Sequence, residues 1–216
     1  MSAGLSLGEL EATARKAARG AGYAWGLADD AGRAVRGMAE IGLDGAELLV
    51  RLARAVAPRP QQSLAPQHLE DLWVSDKGPL CPIRAGAALC DLARSLPDSG
   101  MAVTGVLVPG LFLPFAADVA RLRDGPVTVS WRGGIVGIGP EGLPRASGIL
   151  KLVDVDEADL FLHPGGTALP AAPAETRAHP DPAAWQALLG LAHRTYAPAT
   201  EASRRLGAGS GLRDDD

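Results

Sequence analysis

Three helix-period stretches fill the first 56 residues, each with its own start and stop signals, and strand-like patterning first appears past residue 100. That segregation constrains the chain more than any other feature. A doubly wound sheet needs strands and helices to alternate from the outset. A chain that places its helices first and its hairpin-spaced strands later builds an α+β fold. The expectation is N-terminal helices packed on one another and against one face of a mostly antiparallel sheet formed by residues 102–163. A C-terminal helix and a Gly-rich tail follow.

Local signals set the boundaries. Ser6 and Glu9 have capping-box spacing and open a helix over 7–19, closed by Gly20. Residues 25–40 carry Leu27, Ala31, Ala34, Val35 and Met38 on one helical face, with Gly42 as the stop. Asp44 and Glu47 repeat the box and open a third helix to residue 56, striped by Leu48, Leu49, Leu52, Ala55 and Val56. Pro58, Pro60, Pro66 and Pro79 interrupt a connector over 57–80, with one helical turn expected near 68–74. Pro82 suits the first position of a fourth helix, 82–96, ended by Pro97 and Gly100.

The pattern then changes. Residues 103–108 read as a strand and 111–123 as a helix. The alternating run 127–131, the tight turn at Arg132-Gly133-Gly134 and the run 135–138 make the clearest hairpin in the chain. A second strand pair is expected at 149–155 and 158–162. An Ala/Pro loop over 165–180 leads to a last helix, 182–196. This gives one domain, 1–196, with a helical part (1–56) and an α/β part (82–163), followed by a Gly-rich acidic tail, 197–216.

Composition excludes several classes. Of 216 residues 47% are apolar, enough to bury a core without disulfides or metals. A net charge of −4 is the wrong sign for a nucleic-acid footprint, and 4% aromatics cannot furnish a stacking platform. The most apolar window, 101–120, is broken by Thr104, Pro109, Pro114 and Asp118, so no membrane span is expected. The opening residues turn amphipathic and charged at once, unlike a signal peptide. Cys81 and Cys90 are too few for a disulfide framework. The expectation is a cytoplasmic protein with reduced thiols.

Chemistry-bearing residues are sparse. Cys81 precedes Pro82, so its thiol would sit at the positive end of a helix, where thiolate is favoured. His163 ends a strand ahead of Pro164-Gly165-Gly166. These two are the catalytic candidates. Asp154, Asp156, Glu157 and Asp159 cluster between strands but lack the loop length and central glycine of a calcium hand, and no histidine or cysteine pair has zinc spacing. No metal and no cofactor are expected. Gly207, Gly209 and Gly211, flanked by Arg204 and Arg205, are the ligand-binding candidates, because a glycine-rich loop between cations can wrap an anion.

Two segments, Ala17 through Val35 and Arg194 through Asp216, together resemble an uncharacterised bacterial family of about this length, labelled as a domain of unknown function. The resemblance spans nearly the whole chain and brings no activity or catalytic residue with it. The N-terminal helix pair is also similar to the opening of the malate/L-lactate dehydrogenase-like family. Gly42-Leu43-Asp44-Gly45 stands where that family has Gly-x-Asp-Ser-His-Gly. The Ser and His are missing and the chain is much shorter, so the similarity implies a helix hairpin and no chemistry.

Two functions follow. The first is a non-catalytic binding or accessory protein with a protein partner, or a subunit of a homo-oligomer. The second is a small-molecule enzyme that relies on the fold to bring Cys81 and His163 together.

Overall fold

The computed structural model describes residues 4–67, 72–74 and 78–195. After a two-residue strand, β1 (Leu5–Ser6), come three helices: α1 (Leu7–Gly20), α2 (Trp25–Glu40) and α3 (Gly45–Val56). Ser6 Oγ accepts from the Glu9 amide at 3.1 Å, and Asp44 Oδ1 accepts from the Glu47 amide at 3.0 Å. Both predicted N-caps therefore form, each worth about 1 kcal/mol to its helix.

The connector holds a short strand, β2 (Leu72–Trp73), where a helical turn was expected. Helix α4 (Pro82–Asp91) is followed by β3 (Met101–Leu107), then α5 (Leu113–Arg123), the hairpin β4 (Val127–Trp131) and β5 (Gly134–Ile138), and α6 (Ser147–Val153). Strand β6 (Glu157–Pro164), the two-residue β7 (Arg177–Ala178) and α7 (Pro182–His193) complete the described elements. The architecture is α+β.

The main sheet has the order β2-β3-β6-β4-β5. Only β2 and β3 run parallel; the other neighbours are antiparallel. β1 and β7 form a separate antiparallel pair. Alternate side chains of the main sheet point inward: Met101, Val103, Val127, Val129, Val136, Leu160 and Leu162 are buried. Helices α4, α5 and α6 lie against the sheet, and α1, α2, α3 and α7 pack as a layer on these and on one another. The opposite face carries Ala102, Phe161, Ser130 and Ile135 in one cross-strand row, with Phe161 and Ile135 exposed.

Residues 149–155 are not a strand. Ile149 and Leu152, three apart, are buried while Leu150 is exposed, the one-sided pattern of the short helix α6. The expected partner, 158–162, lies within β6, which already has β3 on one side and β4 on the other. No edge of β6 was left for a further strand.

Two local features shape the sheet. The β3–β6 register shifts between Val103 and Val106, where Gly105 adopts φ +63° and Asp159 Oδ1 accepts the Gly105 N–H at 2.8 Å. This is a bulge that a side-chain-free residue makes possible, with its freed donor satisfied. At the other end, the outer edge of β5 is covered by the loop that follows β6: Leu169 N–H donates to the Gly137 carbonyl at 3.0 Å.

Candidate functional site

Helix α2 presents Asp30, Arg33, Gly37 and Glu40 along one face, and α5 presents Pro114, Ala117, Asp118 and Arg121 along another. Both sets follow helical spacing, so each makes a continuous wall. A Cβ at Gly37 would lie 3.3 Å from the Pro114 ring, so the glycine sets how closely the helices approach. The turn at Glu141–Leu143 and the loop through Ala171 and Ala174 close the remaining side. The result is a groove of about 300 Å³. It continues past Asp30 and Asp118 into a recess of about 320 Å³ beside Cys90, Asp91 and Leu122.

The floor is apolar, with Ala34, Phe115 and Leu143; the rim is charged. Arg36 bonds Glu40 at 2.8 Å and Glu11 at 3.1 Å, Arg33 pairs with Asp30, and Arg121 pairs with Asp118. Carboxylates outnumber arginines, because Glu141 and Asp91 also line these cavities. The surplus adds to the effect of burial on two groups here. Burial raises the Asp30 pKa; Arg33 opposes the rise, and the carboxylates of Asp29, Asp91 and Asp118 add to it. Burial, followed by Asp118, Asp30 and Asp91, pushes the Cys90 thiol up to about 12.

Cys81 occupies the predicted place, the N-cap of α4 with Pro82 at the first helical position. It is fully buried, with Sγ 3.3 Å from the Tyr23 hydroxyl. The Tyr23 hydrogen bond, the Arg84 and Ile83 amides at the helix start and the Arg84 charge all lower the thiol pKa. Burial outweighs them and raises it. The position is right for an activated thiol, and the solvation is wrong.

His163 lies half-buried on the outer face of β6, opposite Thr128, with Nδ1 2.9 Å from the Pro164 carbonyl oxygen. Leu162 pairs with Met101 at the start of β3, while Leu80, next to Cys81, bridges to Val106 near its end. The length of β3, about 20 Å at the usual rise, therefore separates the two candidates. The structure does not bring them together.

The acidic cluster has structural work. Asp156 accepts from Arg51 at 2.8 Å, and Asp159 holds the bulge. Among the described residues, no group of three His, Cys, Asp or Glu side chains could hold a metal ion. Arg204, Arg205, Gly207, Gly209 and Gly211 lie outside the described residues. The Gly42–Gly45 stretch also has a local role, since Asp44 caps α3.

The α2–α5 groove was not anticipated. Its signal was in the sequence: on α2, opposite charges stand three and four residues apart, Asp30 with Arg33 and Arg36 with Glu40, beside small residues. Each helix taken singly shows only an ordinary solvated face.

Residues 5–78 match the family model described as "Protein of unknown function (DUF3726)". The matched segment holds α1, α2 and α3, and with them the α2 wall of the groove; the α5 wall lies outside it. The match is narrower than the resemblance implied, covering the quoted segment 17–35 and not 194–216. No curated protein and no solved structure matches the chain. Among the described residues, no helix is long and apolar enough to cross a membrane.

Proposed function

We propose that the chain acts by binding, as a non-catalytic accessory protein, and that its ligand or partner lies in the α2–α5 groove. The observation that carries this reading is the groove's construction: an apolar floor rimmed by ion pairs with a surplus of carboxylates. Exposed pairs of this kind contribute about 0–1 kcal/mol each, so a ligand's charge replaces one member at little cost. The surplus favours a cationic ligand or a basic segment of a partner.

The enzyme reading has less support. Its nucleophile is sealed and holds its proton, and its histidine stands at the far end of β3. A thiol without a base or access to solvent has no route to substrate. No cofactor, nucleic acid or membrane has a part in the binding reading. Residues 1–196 act in it as one domain with 197–216 appended, in a bacterial cytoplasm, a compartment that suits two free thiols.

Mass spectrometry of the protein purified under native conditions from its own host tests the reading. A bound small cation or a co-purifying chain, lost from the Ala174→Trp variant that fills the groove, supports it. The same species retained by that variant places binding elsewhere. Finding neither species counts against a binding role.

The two large apolar side chains exposed on the outer face of the sheet, Ile135 and Phe161, support service as a homo-oligomer subunit. Sedimentation of the wild type and Ile135→Ser across a range of concentrations checks this. A monomer throughout would remove the subunit role.

A further inference from the structure

Helix α7 is out of balance with its surroundings. It carries no charged residue from Pro182 to Ala192, yet Trp185, Ala187, Leu189 and Leu191 are only half-buried. A helix apolar on every side is ordinarily covered on every side. One flank of α7 faces α3 across a groove of about 360 Å³, with Val50, Ala53, Ala187 and Leu191 along its apolar part. Arg54 and Arg194 stand at its rim. Among the described residues their guanidinium groups have no hydrogen-bond or ion-pair partner, whereas nearby Arg51 is engaged by the Val153 and Val155 carbonyls and by Asp156. The groove therefore offers an apolar surface and two uncommitted cations.

We propose that this groove is the docking site of the chain's own residues 206–216, with Leu212 on the apolar floor and Asp214, Asp215 and Asp216 against Arg54 and Arg194. Three points select this occupant. The first is charge: Asp214–Asp216 is the sequence's one run of three consecutive carboxylates. The second is reach. Leu212 follows Thr195 by a stretch that spans up to about 55 Å when extended, and α3 is only about 18 Å long. The third is tethering. A segment joined to α7 has an effective concentration in the millimolar range, so a weak contact suffices. The carbonyl ends of α3 and α7 repel an acid at this end of the molecule, so the two arginines decide the sign. The site is separate from the α2–α5 groove and does not depend on the function proposed for it.

Hydrogen exchange of the full chain tests the proposal, alongside the full-length variants D214N/D215N/D216N and L212S. In the wild type, amides of 206–216 should be protected. In both variants that protection, and that of the last turn of α3 and of α7, should fall roughly tenfold, the equivalent of one charge-assisted hydrogen bond. The pair R54D/R194D should lose protection as well, and adding D214R/D215R/D216R should restore it. Random-coil exchange of 206–216 in the wild type overturns the proposal. So does protection of α7 that rises with protein concentration and ignores the variants, which would assign the groove to a second copy.

Discussion

The backbone N–H of Asp181 donates a 2.7 Å hydrogen bond to Oδ2 of Asp44, a residue 137 positions earlier. The other oxygen of Asp44 accepts the Glu47 amide and caps α3. Asp181 in turn caps α7, its Oδ1 accepting from the Ala183 and Ala184 amides. One carboxylate thus fixes the starts of two helices that lie side by side.

Asp44→Ala is expected to cost about 2 kcal/mol, a lost cap plus a lost charge-assisted bond. Asp44→Ser, which keeps a capping oxygen but not the reach to Asp181, should cost about half as much. Urea unfolding of the two variants checks the order. Equal losses would show that the tie to Asp181 adds nothing.

The thiols should be inert in the folded protein. With its pKa near 12, Cys90 holds roughly a thousandfold less thiolate at pH 8 than a free cysteine. Cys81 is fully buried and raised as well. Alkylation at pH 8 should be slow for both and become complete on unfolding. Rapid, selective labelling of Cys81 in the native state would contradict its sealed environment.

Asp30 gives a pH signature. Its folded pKa is raised, with burial the largest cause, so the native state holds the proton more tightly than the unfolded chain. This group's contribution to stability is therefore greatest below the unfolded carboxylate value and is lost as pH rises through the folded one. Asp30→Asn should raise stability at neutral pH and leave it unchanged in acid. Thermal melts at several pH values decide; a variant less stable at neutral pH would mean that the Arg33 pair outweighs burial.

The α1–α7 contact depends on one hydrogen atom. A Cβ at Gly20 would lie 1.9 Å from the Leu191 carbonyl oxygen, with backbone on both sides. Gly20→Ala should cost about 3 kcal/mol, since neither helix can rotate a side chain away. Denaturant unfolding measures the loss, and near-UV circular dichroism of Trp185 on α7 should report the displaced helix.

Local chemistry was legible in the sequence, and assembly was not. Ser6, Asp44 and Pro82 announce helix starts because a cap needs only its own neighbours. The β4–β5 turn is equally local. Residues 149–155 misled because a short apolar run has the same appearance in a strand and in a short helix, and only the filled neighbours of β6 exclude the strand. Cys81 was placed correctly at a helix start, but its reactivity depends on burial beside Tyr23, 58 positions away. The α2–α5 groove joins Arg33 to Arg121, and no spacing within either helix refers to the other.

The loop laid along β5 has a consequence for how copies of this protein behave in a crowded solution. An open strand edge is a template on which another chain can add, copy after copy, into a fibril. Here Leu169 occupies the Gly137 carbonyl on one edge of the sheet, and among the described residues the other edge strand, β2, spans two residues. A Cβ at Gly137 would lie 2.0 Å from the Thr167 carbonyl oxygen, so any larger residue lifts the loop. Gly137 is therefore a guard against self-templated growth, and its loss would appear as turbidity on storage as well as a change in melting temperature.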